Sequence, residues 1–413
     1  MGVDPSSLRI GIVDQGMAGW SAGRSYSRMI LRSLEAACNG SEPQLYFLSD
    51  SQDEADRWSR ASSRIQSIKL NSIEYLPVER SLRNLFRLPE KSHALRGEPR
   101  LRRTLHLNKK SDLFGSAKAN EIDVLLPVLD LPPWAVTQRT IGWIPDFQHV
   151  FLPEYFGPTE LQKRDRTFKS LAARANVIML SSQAAYDDFA ACIPSQIHKA
   201  RVVSFPSLLA FEDLPDDPSS TVKKYRLPEK FALVANQFWA HKNHVAVVRA
   251  LERIKEKTKV PVVMTGLPSD HRDPANRNFS SLLQSIATAG LNGQVTILGL
   301  VPFQDLINLM RSAALVIQPS RFEGWNTTVQ DAVALGRPLM LSDLAVHREQ
   351  VPGALGFFSY ESPETLADLI ETHWQTLSAG PDETREKDSL ATERIFARKH
   401  GNLLLKVCTE AAA

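Results

Sequence analysis

Short apolar segments alternate with amphipathic segments along most of this chain. The apolar segment "LRIGIV", with its core at 9–13, predicts a buried strand, and the periodic segment "YSRMILRSLEAA" predicts the helix after it. Further strands are predicted before residue 211 at "QLYFLS", "IDVLLPV", "TIGWI", "NVIMLSS" and "RVVSF". Strands that alternate with helices are typical of a parallel sheet covered by helices on both faces.

The alternation stops near the middle of the chain and then begins again. Residues 211–230, "FEDLPDDPSSTVKKYRLPEK", are rich in Pro, Asp, Ser and Lys, which predicts a linker between domains. We therefore expect an α/β protein with two tandem doubly wound, Rossmann-like domains, residues 1–210 and 231–382. A last helix over 383–413 is expected to pack back toward the first domain. Ligands of such sheets bind outside the carboxyl ends of the strands, so we expect a substrate cleft between the domains.

Residues 79–112 interrupt the first series with Arg and Lys mixed among Leu and Phe. Two interpretations stay open: a solvated, partly helical insertion, or a segment that contacts a membrane surface or an anionic acceptor. No nucleic-acid-binding motif accompanies the segment, and the net charge of +3 is small for 413 residues. We therefore expect no nucleic acid among the partners.

The composition is that of a soluble globular protein, with 43% hydrophobic and 23% charged residues. Its three cysteines, Cys38, Cys192 and Cys408, are far apart, which fits a reducing compartment better than a disulfide framework. No signal peptide and no apolar run of about 20 residues is apparent in the sequence, and no spacing suits zinc. We expect a cytoplasmic protein without a bound metal, with attachment at the inner face of the membrane left open.

The segment "SRFEGWNTTVQDA", residues 320–332, combines groups that suit a charged, hydroxylated ligand. Thr327 and Gln330 have the spacing of a capping box, which predicts a helix that begins there and ends near Gly336. The unpaired N–H groups and the positive dipole end of such a helix form an anion site that needs no metal. We expect a phosphate or diphosphate at the N–H groups of Asn326, Thr327, Thr328 and Val329.

Two carboxylates flank this predicted helix start. Glu323 precedes it and Asp331 lies one turn into it, eight positions further on. A carboxylate can accept hydrogen bonds from two neighbouring hydroxyl groups, such as those of a ribose. The ligand that suits this arrangement is a sugar linked by diphosphate to a nucleoside. The alternative is that both are ordinary surface carboxylates near a helix start.

Two loops of the second domain that follow predicted strands also carry candidate residues. Lys242, in "ANQFWAHKNH", opens a predicted helix, where its charge opposes the helix dipole. A bound anion would explain it; a solvated lysine is the alternative. Gly266, after "PVVMT", would allow a close approach of the backbone to a ligand.

Two loops of the first domain are further candidates. Gly19 and Gly23, in "GMAGWSAGRS", suggest a loop that lets the backbone approach a ligand, with plain turn chemistry as the alternative. Asp146 and His149, in "WIPDFQHVFLPEYF", could contact an acceptor hydroxyl or transfer a proton. A capped loop with a structural histidine is the alternative interpretation.

The segment "PSRFEGWNTTVQDAVALGRPLMLSD", the lysine-bearing loop and "HREQ" at 347–350 resemble the retaining glycosyltransferases of family four, which have the GT-B fold. Over most of the chain the resemblance is to a bacterial branch of that family. It implies transfer of a hexose or deoxyhexose from a GDP-, UDP- or dTDP-linked sugar to a saccharide or lipid-linked acceptor. It also implies retained configuration, a role in polysaccharide or glycoconjugate synthesis, and no cofactor.

The resemblance assigns roles to individual residues. Glu323 would contact the donor sugar, Asp331 the ribose and Lys242 the diphosphate, while Val301 lies where a loop contacts the base. Asn236 replaces the usual glycine of the lysine loop. The other substrate-binding candidates of the same motif are Arg321, Gly324, Trp325, Asn326, Thr327 and Thr328.

Two departures from the family pattern leave alternatives open. Gln237 stands where the family has a diphosphate-binding arginine, and Arg321 or Arg24 is a candidate source of the missing charge. Pro145 stands where the family has a histidine before Asp146, which makes His149 the candidate substitute. A protein that binds sugar nucleotides without catalysis therefore remains as an alternative function. A nucleotide-sugar epimerase of the same architecture is a separate alternative.

Overall fold

The structure is a computed structural model that describes residues 4–14, 21–38, 43–61, 65–70, 72–75, 108–132, 138–215 and 217–413. Helices and strands alternate through these residues, as the apolar pattern predicts. In chain order they are β1 (Arg9–Val13), α1 (Ser21–Ala37), β2 (Gln44–Ser49), α2 (Gln52–Ala61), β3 (Ile65–Lys69), β4 (Ser72–Tyr75), β5 (Asn108–Ser111), α3 (Leu113–Ala119), β6 (Val124–Val128), β7 (Arg139–Ile144), α4 (Gln148–Phe151), α5 (Pro158–Arg174), β8 (Val177–Leu180), α6 (Gln183–Cys192), β9 (Ala200–Val202), α7 (Pro218–Lys224), β10 (Ala232–Ala235), α8 (His244–Ile254), β11 (Val262–Thr265), α9 (Arg277–Thr288), β12 (Val295–Gly299), α10 (Phe303–Ser312), β13 (Leu315–Gln318), α11 (Thr327–Ala334), β14 (Leu339–Ser342), α12 (Ala345–Gln350), β15 (Gly356–Phe358), α13 (Pro363–His373) and α14 (Glu383–Ala412).

The strands form two large sheets of the same winding pattern. One has the order β3-β2-β1-β6-β7-β8-β9 and the other the order β12-β11-β10-β13-β14-β15. In the second sheet β10 pairs in parallel with both β11 and β13, so the strand order reverses between β10 and β13. The predicted doubly wound α/β architecture is confirmed.

The chain divides into two compact units. The first comprises Met1–Trp143, Thr167–Met179 and Gly401–Ala413, and the second comprises Ile144–Arg166 and Leu180–His400. The predicted domain boundaries stay a prediction, because a division by contacts follows spatial neighbours rather than the sequence pattern. The candidate residues from Asp146 onward all belong to the second unit.

Helices cover both faces of the sheet in the second unit. Every residue of β10, β11 and β13 is buried, as expected for parallel strands covered on both sides. Because side chains alternate along a strand, Val234 packs in one cluster with Leu251 of α8, and its neighbour Leu233 packs in another with Val329 of α11.

Part of the predicted linker is helical. Asp217 caps α7, with Oδ1 accepting from the backbone N–H groups of Ser219 and Ser220. Pro218 occupies the first helical position, where its missing N–H has no consequence. The helix joins α10 through a hydrogen bond from Asn308 to the Thr221 hydroxyl at 3.0 Å. The predicted linker thus contains a short capped helix, and its role between two domains stays a prediction.

Residues 79–107 of the basic segment lie outside the described residues, so its predicted membrane contact stays a prediction. Residues 108–111 form β5, antiparallel to β4, so this end is a strand and not a helix. Among the helices in the described ranges, none combines the length and the apolar character that crossing a membrane requires.

In the first unit a glycine of α14 lies against α1. A Cβ atom added at Gly401 would stand 1.9 Å from the carbonyl oxygen of Ser33 and 2.8 Å from Cβ of Ala37. The two helix backbones therefore touch at this point, and the contact leaves no room for a side chain.

Gly401→Ala should lower the melting temperature, although alanine favours helix by about 1 kcal/mol. The added methyl group must push α14 away from Ser33, and such overpacking costs about 1–3 kcal/mol or more. Calorimetry of the full chain measures the change. Asn402→Ala is the matched control: Asn402 is exposed, so its replacement should be neutral or slightly stabilising. An equal or higher melting temperature for Gly401→Ala would show that this helix contact is loose.

Candidate functional site

Lys242 and Glu323 meet at the carboxyl edge of the second sheet. Their loops follow β10 and β13, the two strands between which the strand order reverses. The Lys242 Nζ lies 2.5 Å from Oε1 of Glu323, and the two side chains are only 14% and 9% exposed. Ligands of open α/β sheets bind at this kind of edge. The two residues predicted from separate motifs therefore form one ion pair at the expected place.

A left-handed residue positions Lys242. Asn243 has a φ of 55°, which ends a short 3-10 turn at Lys242 and lets α8 begin only at His244. The Asn243 amide holds this turn by donating to the carbonyl oxygens of Pro319 and Tyr360, at 3.2 and 3.0 Å. The expectation that Lys242 opens the helix was therefore wrong by two residues.

A buried amide pair holds Glu323. Gln318, at the end of β13, is fully buried and donates to Glu323 Oε1 at 3.3 Å. Its amide also exchanges two hydrogen bonds with Asn236, at 2.6 and 3.0 Å. Asn236 thus has a structural partner in this protein. The sequence did not single out Gln318, because a glutamine at the end of an apolar strand looks like the start of a loop.

The helix α11 begins beside this pair. Asn326 caps it, with Oδ1 accepting from the N–H of Val329 at 3.1 Å. The predicted capping box was therefore wrong by one residue: asparagine is at least as good a cap as threonine, and the Gln330 side chain is engaged elsewhere. Among the described residues, no acceptor is found for the N–H groups of Thr327 and Thr328, which belong to the first turn. The predicted helix end at Gly336, with a φ of 62°, is confirmed.

Hydrogen bonds tie α11 to its surroundings. The Thr328 hydroxyl donates to the carbonyl oxygen of Ala235, the last residue of β10, at 3.0 Å. The amide of Gln350 donates to the carbonyl oxygen of Asn326 at 2.9 Å. The Trp325 indole donates to the carbonyl oxygen of Phe205 at 3.0 Å. The helix start therefore lies on the same sheet edge as Lys242.

Two glycines mark close backbone contacts. A Cβ atom at Gly324 would stand 2.0 Å from the carbonyl oxygen of Pro145, and one at Gly266 would stand 1.9 Å from that of Asn236. The expected close approach at Gly266 is thus to a neighbouring loop. Gln237 supports the same loop, with Oε1 accepting from the N–H of Leu267 at 2.9 Å.

The segment with Asp146 and His149 is held by its own polar groups. Asp146 accepts from the N–H of Gln148 at 2.9 Å. The ring of His149 is 3% exposed and its Nε2 lies 3.2 Å from Asp165. Burial lowers the pKa of His149. This geometry favours the structural interpretation of the histidine, and a part in proton transfer stays a prediction.

The remaining candidates lie at varying distances from this edge. The N–H of Arg321 donates to the carbonyl oxygen of His241, next to Lys242, at 2.8 Å. Val301 follows β12 and is partly buried against one core cluster. Gly19 lies outside the described residues. Gly23 and Arg24 fall in the first turn of α1, because that helix begins at Ser21; the prediction that Gly23 belongs to the loop was wrong.

Asp331 lies in an acidic cluster that the sequence did not reveal. Its Oδ1 accepts from the Ser207 hydroxyl at 2.6 Å, and the Ser207 N–H donates to Glu393 of α14 at 2.6 Å. The Gln330 amide donates to both oxygens of Glu393 at 3.0 Å. Burial raises the pKa of Asp331 to about 6 and that of Glu393, which is 3% exposed, to about 7. The ribose-binding role of Asp331 stays a prediction.

Residues of the "HREQ" segment form hydrogen bonds with neighbouring parts of the second unit. His347 is fully buried, and its Nδ1 lies 2.9 Å from the carbonyl oxygen of Ser342. Since a carbonyl oxygen only accepts, Nδ1 carries the proton. Burial lowers the pKa of this ring, so it is neutral. Glu349 accepts from the first N–H of α6, at Gln183, through both oxygens at 2.8 and 2.9 Å.

Comparison with known proteins finds one matching family model and several similar structures. Residues 219–375 match the family model described as "Glycosyl transferases group 1". The structure superposes with a TM-score of 0.60 on Anabaena HepE in complex with UDP and glucose, with 15% identity over 95% of each chain. It superposes equally well on sucrose-phosphate synthase of Thermosynechococcus elongatus, at 13% identity over 97% and 96% of the chains. These likenesses show the fold.

The chain is also similar to part of one named protein. The chain is 20% identical over 242 residues to O-antigen chain mannosyltransferase B of Escherichia coli, which is 57% of this chain and 60% of that protein. The resemblance predicted from the motifs is confirmed: residues 219–375 match the model of the group 1 glycosyl transferases, and the likeness to solved structures shows the GT-B fold.

Removing one partner of the Lys242–Glu323 pair should destabilise the fold more than removing both. Lys242→Met leaves a mostly buried carboxylate without its cation and should lower the free energy of unfolding by about 2 kcal/mol or more. The double variant Lys242→Met with Glu323→Gln should recover at least half of that loss. Urea unfolding of the single and double variants measures the coupling. Additive losses would mean that solvent screens the pair.

The acidic cluster should make stability fall as the pH rises. The folded state holds a proton on Glu393 up to about pH 7, whereas the unfolded chain releases it near 4.5. That contribution is complete below pH 4.5 and is lost as the pH rises through 7. Relative to Glu393→Gln, the wild type should lose about 2 kcal/mol between pH 5 and 8.

The wild type must be compared with Glu393→Gln because buried histidines change the stability with pH in the opposite direction. Burial lowers the pKa of His244 and His400 to about 3. The stability that they contribute therefore grows as the pH rises from about 3 to their ordinary pKa. The difference between wild type and Glu393→Gln, followed by urea unfolding at several pH values, cancels that contribution. Parallel pH profiles would show that Glu393 is ionised in the folded state throughout.

Proposed function

We propose that this protein is a retaining glycosyltransferase. It moves a hexose or deoxyhexose from a nucleoside-diphosphate sugar to a saccharide or glycolipid acceptor, in polysaccharide or glycoconjugate synthesis. The observation that carries the proposal is the Lys242–Glu323 pair beside the start of α11, at the edge where the strand order reverses. The Anabaena structure with UDP and glucose and the E. coli mannosyltransferase support the substrate class.

The charges of the site suit a departing diphosphate. As the bond between C1 of the sugar and the diphosphate oxygen breaks, the electron pair stays on that oxygen. The Lys242 ammonium and the N–H groups of Thr327 and Thr328 would stabilise this charge, so no metal is needed. The acceptor oxygen then bonds to C1 on the same face, and its proton passes to the departing phosphate.

The carboxylates would bind the hydroxyl groups of the donor. Glu323 would accept from the sugar while Gln318 keeps its carboxylate in place. Asp331 gives one oxygen to Ser207, so its other oxygen is the one we assign to the ribose. We assign the charge missing at Gln237 to Arg321, because its backbone is bonded next to Lys242.

A screen of nucleotide sugars by thermal shift should identify the donor. We expect one of GDP-mannose, UDP-glucose and dTDP-rhamnose to raise the melting temperature by several degrees at about 100 times its dissociation constant. With that donor, Lys242→Ala should lower kcat about 100-fold or more, because charge on the leaving group is no longer balanced. Glu323→Ala should lower turnover to a similar extent. Release of the nucleoside diphosphate measures turnover.

Lys257→Ala is the matched control, since Lys257 is 74% exposed in the same unit. It should keep wild-type turnover. Unchanged turnover in both Lys242→Ala and Glu323→Ala would reject the site. A donor that binds to the wild type but is never turned over with any acceptor would point to a binding protein without catalysis.

A further inference from the structure

The short helix α4 has an inverted pattern of burial. Its two polar residues are buried, with Gln148 8% and His149 3% exposed. Its two apolar residues are exposed, Val150 at 43% and Phe151 at 48%. Burial of a phenylalanine side chain stabilises a fold, and this arrangement gives up part of that stabilisation. Folding alone does not favour such an arrangement.

Polar contacts hold the helix in this orientation. Arg272 donates to Oε1 of Gln148 at 3.1 Å, and its guanidinium is fixed by Asp270 and is 7% exposed. His149 is held by Asp165 at 3.2 Å. Because both polar side chains of α4 are anchored, Val150 and Phe151 are kept at the surface by the structure around them.

The exposed ring lies beside the candidate site. Phe151 stacks on Phe322, with ring centroids 5.7 Å apart and an angle of 20° between the planes. Phe322 directly precedes Glu323, the partner of Lys242. The backbone contact between Gly324 and Pro145 holds the two segments together. The aromatic pair is therefore continuous with the site that would hold the donor sugar.

Carboxylates belong to the same segments as this aromatic pair or contact them. Asp146 lies at the start of α4, Asp165 is 50% exposed beside it, and Glu323 follows Phe322. Burial, together with the negative charges of Asp146 and Asp187, raises the pKa of Asp188 to about 6. The segments of Phe151 and Phe322 thus combine aromatic faces with carboxylate oxygens that accept hydrogen bonds.

This chemistry selects a saccharide over a lipid or an anionic ligand. A sugar ring has a face of C–H groups, which packs on an aromatic ring, and hydroxyl groups at its edge, which donate to carboxylates. A lipid chain would need a longer apolar groove, and an anionic headgroup would meet the negative charges of Asp146 and Asp165.

We propose that Phe151 and Phe322 form a platform that binds one ring of the acceptor saccharide next to the donor site. That the bound saccharide is the acceptor rests on the proposed transferase function, but saccharide binding itself can be tested separately. The ring face of Phe151 supplies the contact, and the neighbouring carboxylates supply the hydrogen bonds.

The test measures binding of the full-length protein to a printed panel of bacterial and synthetic oligosaccharides. Wild type should bind at least one of them. Phe151→Ala and Phe151→Leu should bind it about tenfold more weakly, because neither retains the aromatic face. Phe151→Tyr should retain binding. Leu283→Ala is the control, since Leu283 is an apolar residue of α9 with a similar exposure of 46%.

The donor screen identifies a nucleotide sugar. Its nucleoside diphosphate should raise the melting temperature of all these variants as much as that of the wild type, which distinguishes the platform from the donor site. Saccharide binding that Phe151→Ala leaves unchanged would overturn the proposal, as would a wild type that binds no saccharide. Phe151-dependent binding to phosphatidylglycerol and phosphatidylcholine vesicles, or a Phe151-dependent dimer, would overturn it in favour of a lipid or a second copy. If no nucleoside diphosphate binds but saccharide binding depends on Phe151, the transferase function fails and the platform stands.

Discussion

The contact between the Lys242 ammonium and the Glu323 carboxylate is the interaction on which the site depends. Both groups are mostly removed from water, so each is stable there only while the other neutralises it. Their loops leave adjacent strands at the point where the sheet reverses its strand order. The fold thus provides the edge, and the ion pair sets a fixed charge pattern on it.

Amide side chains turn that pair into a rigid site. Gln318 and Asn236 satisfy each other across β10 and β13 and leave a hydrogen bond for Glu323. Asn243 and Gln350 bond backbone carbonyls on either side. Amide side chains that are removed from water are stable only when their partners are in place, so these bonds restrict the geometry of the site.

Elsewhere the structure keeps arrangements that lower its stability. Exposed Phe151 and buried Glu393 are opposite cases, an apolar side chain in water and a carboxyl group away from it. Both lie close to candidate site residues, since Phe151 stacks on Phe322 and Glu393 shares Ser207 with Asp331. Violations of the usual burial rules beside candidate site residues are typical of binding sites.

The sequence by itself determined the class of fold, because runs of apolar residues report how strands and helices are buried. It also determined the motif around Glu323, since neighbours in the chain form that turn. It did not determine the cap at Asn326, the amide pair of Gln318 or the acidic partner of Asp331. Periodicity shows that a face is buried but not which distant polar group meets it there. Hydrogen bonds and charge interactions depend on distances in space, which only the tertiary structure decided.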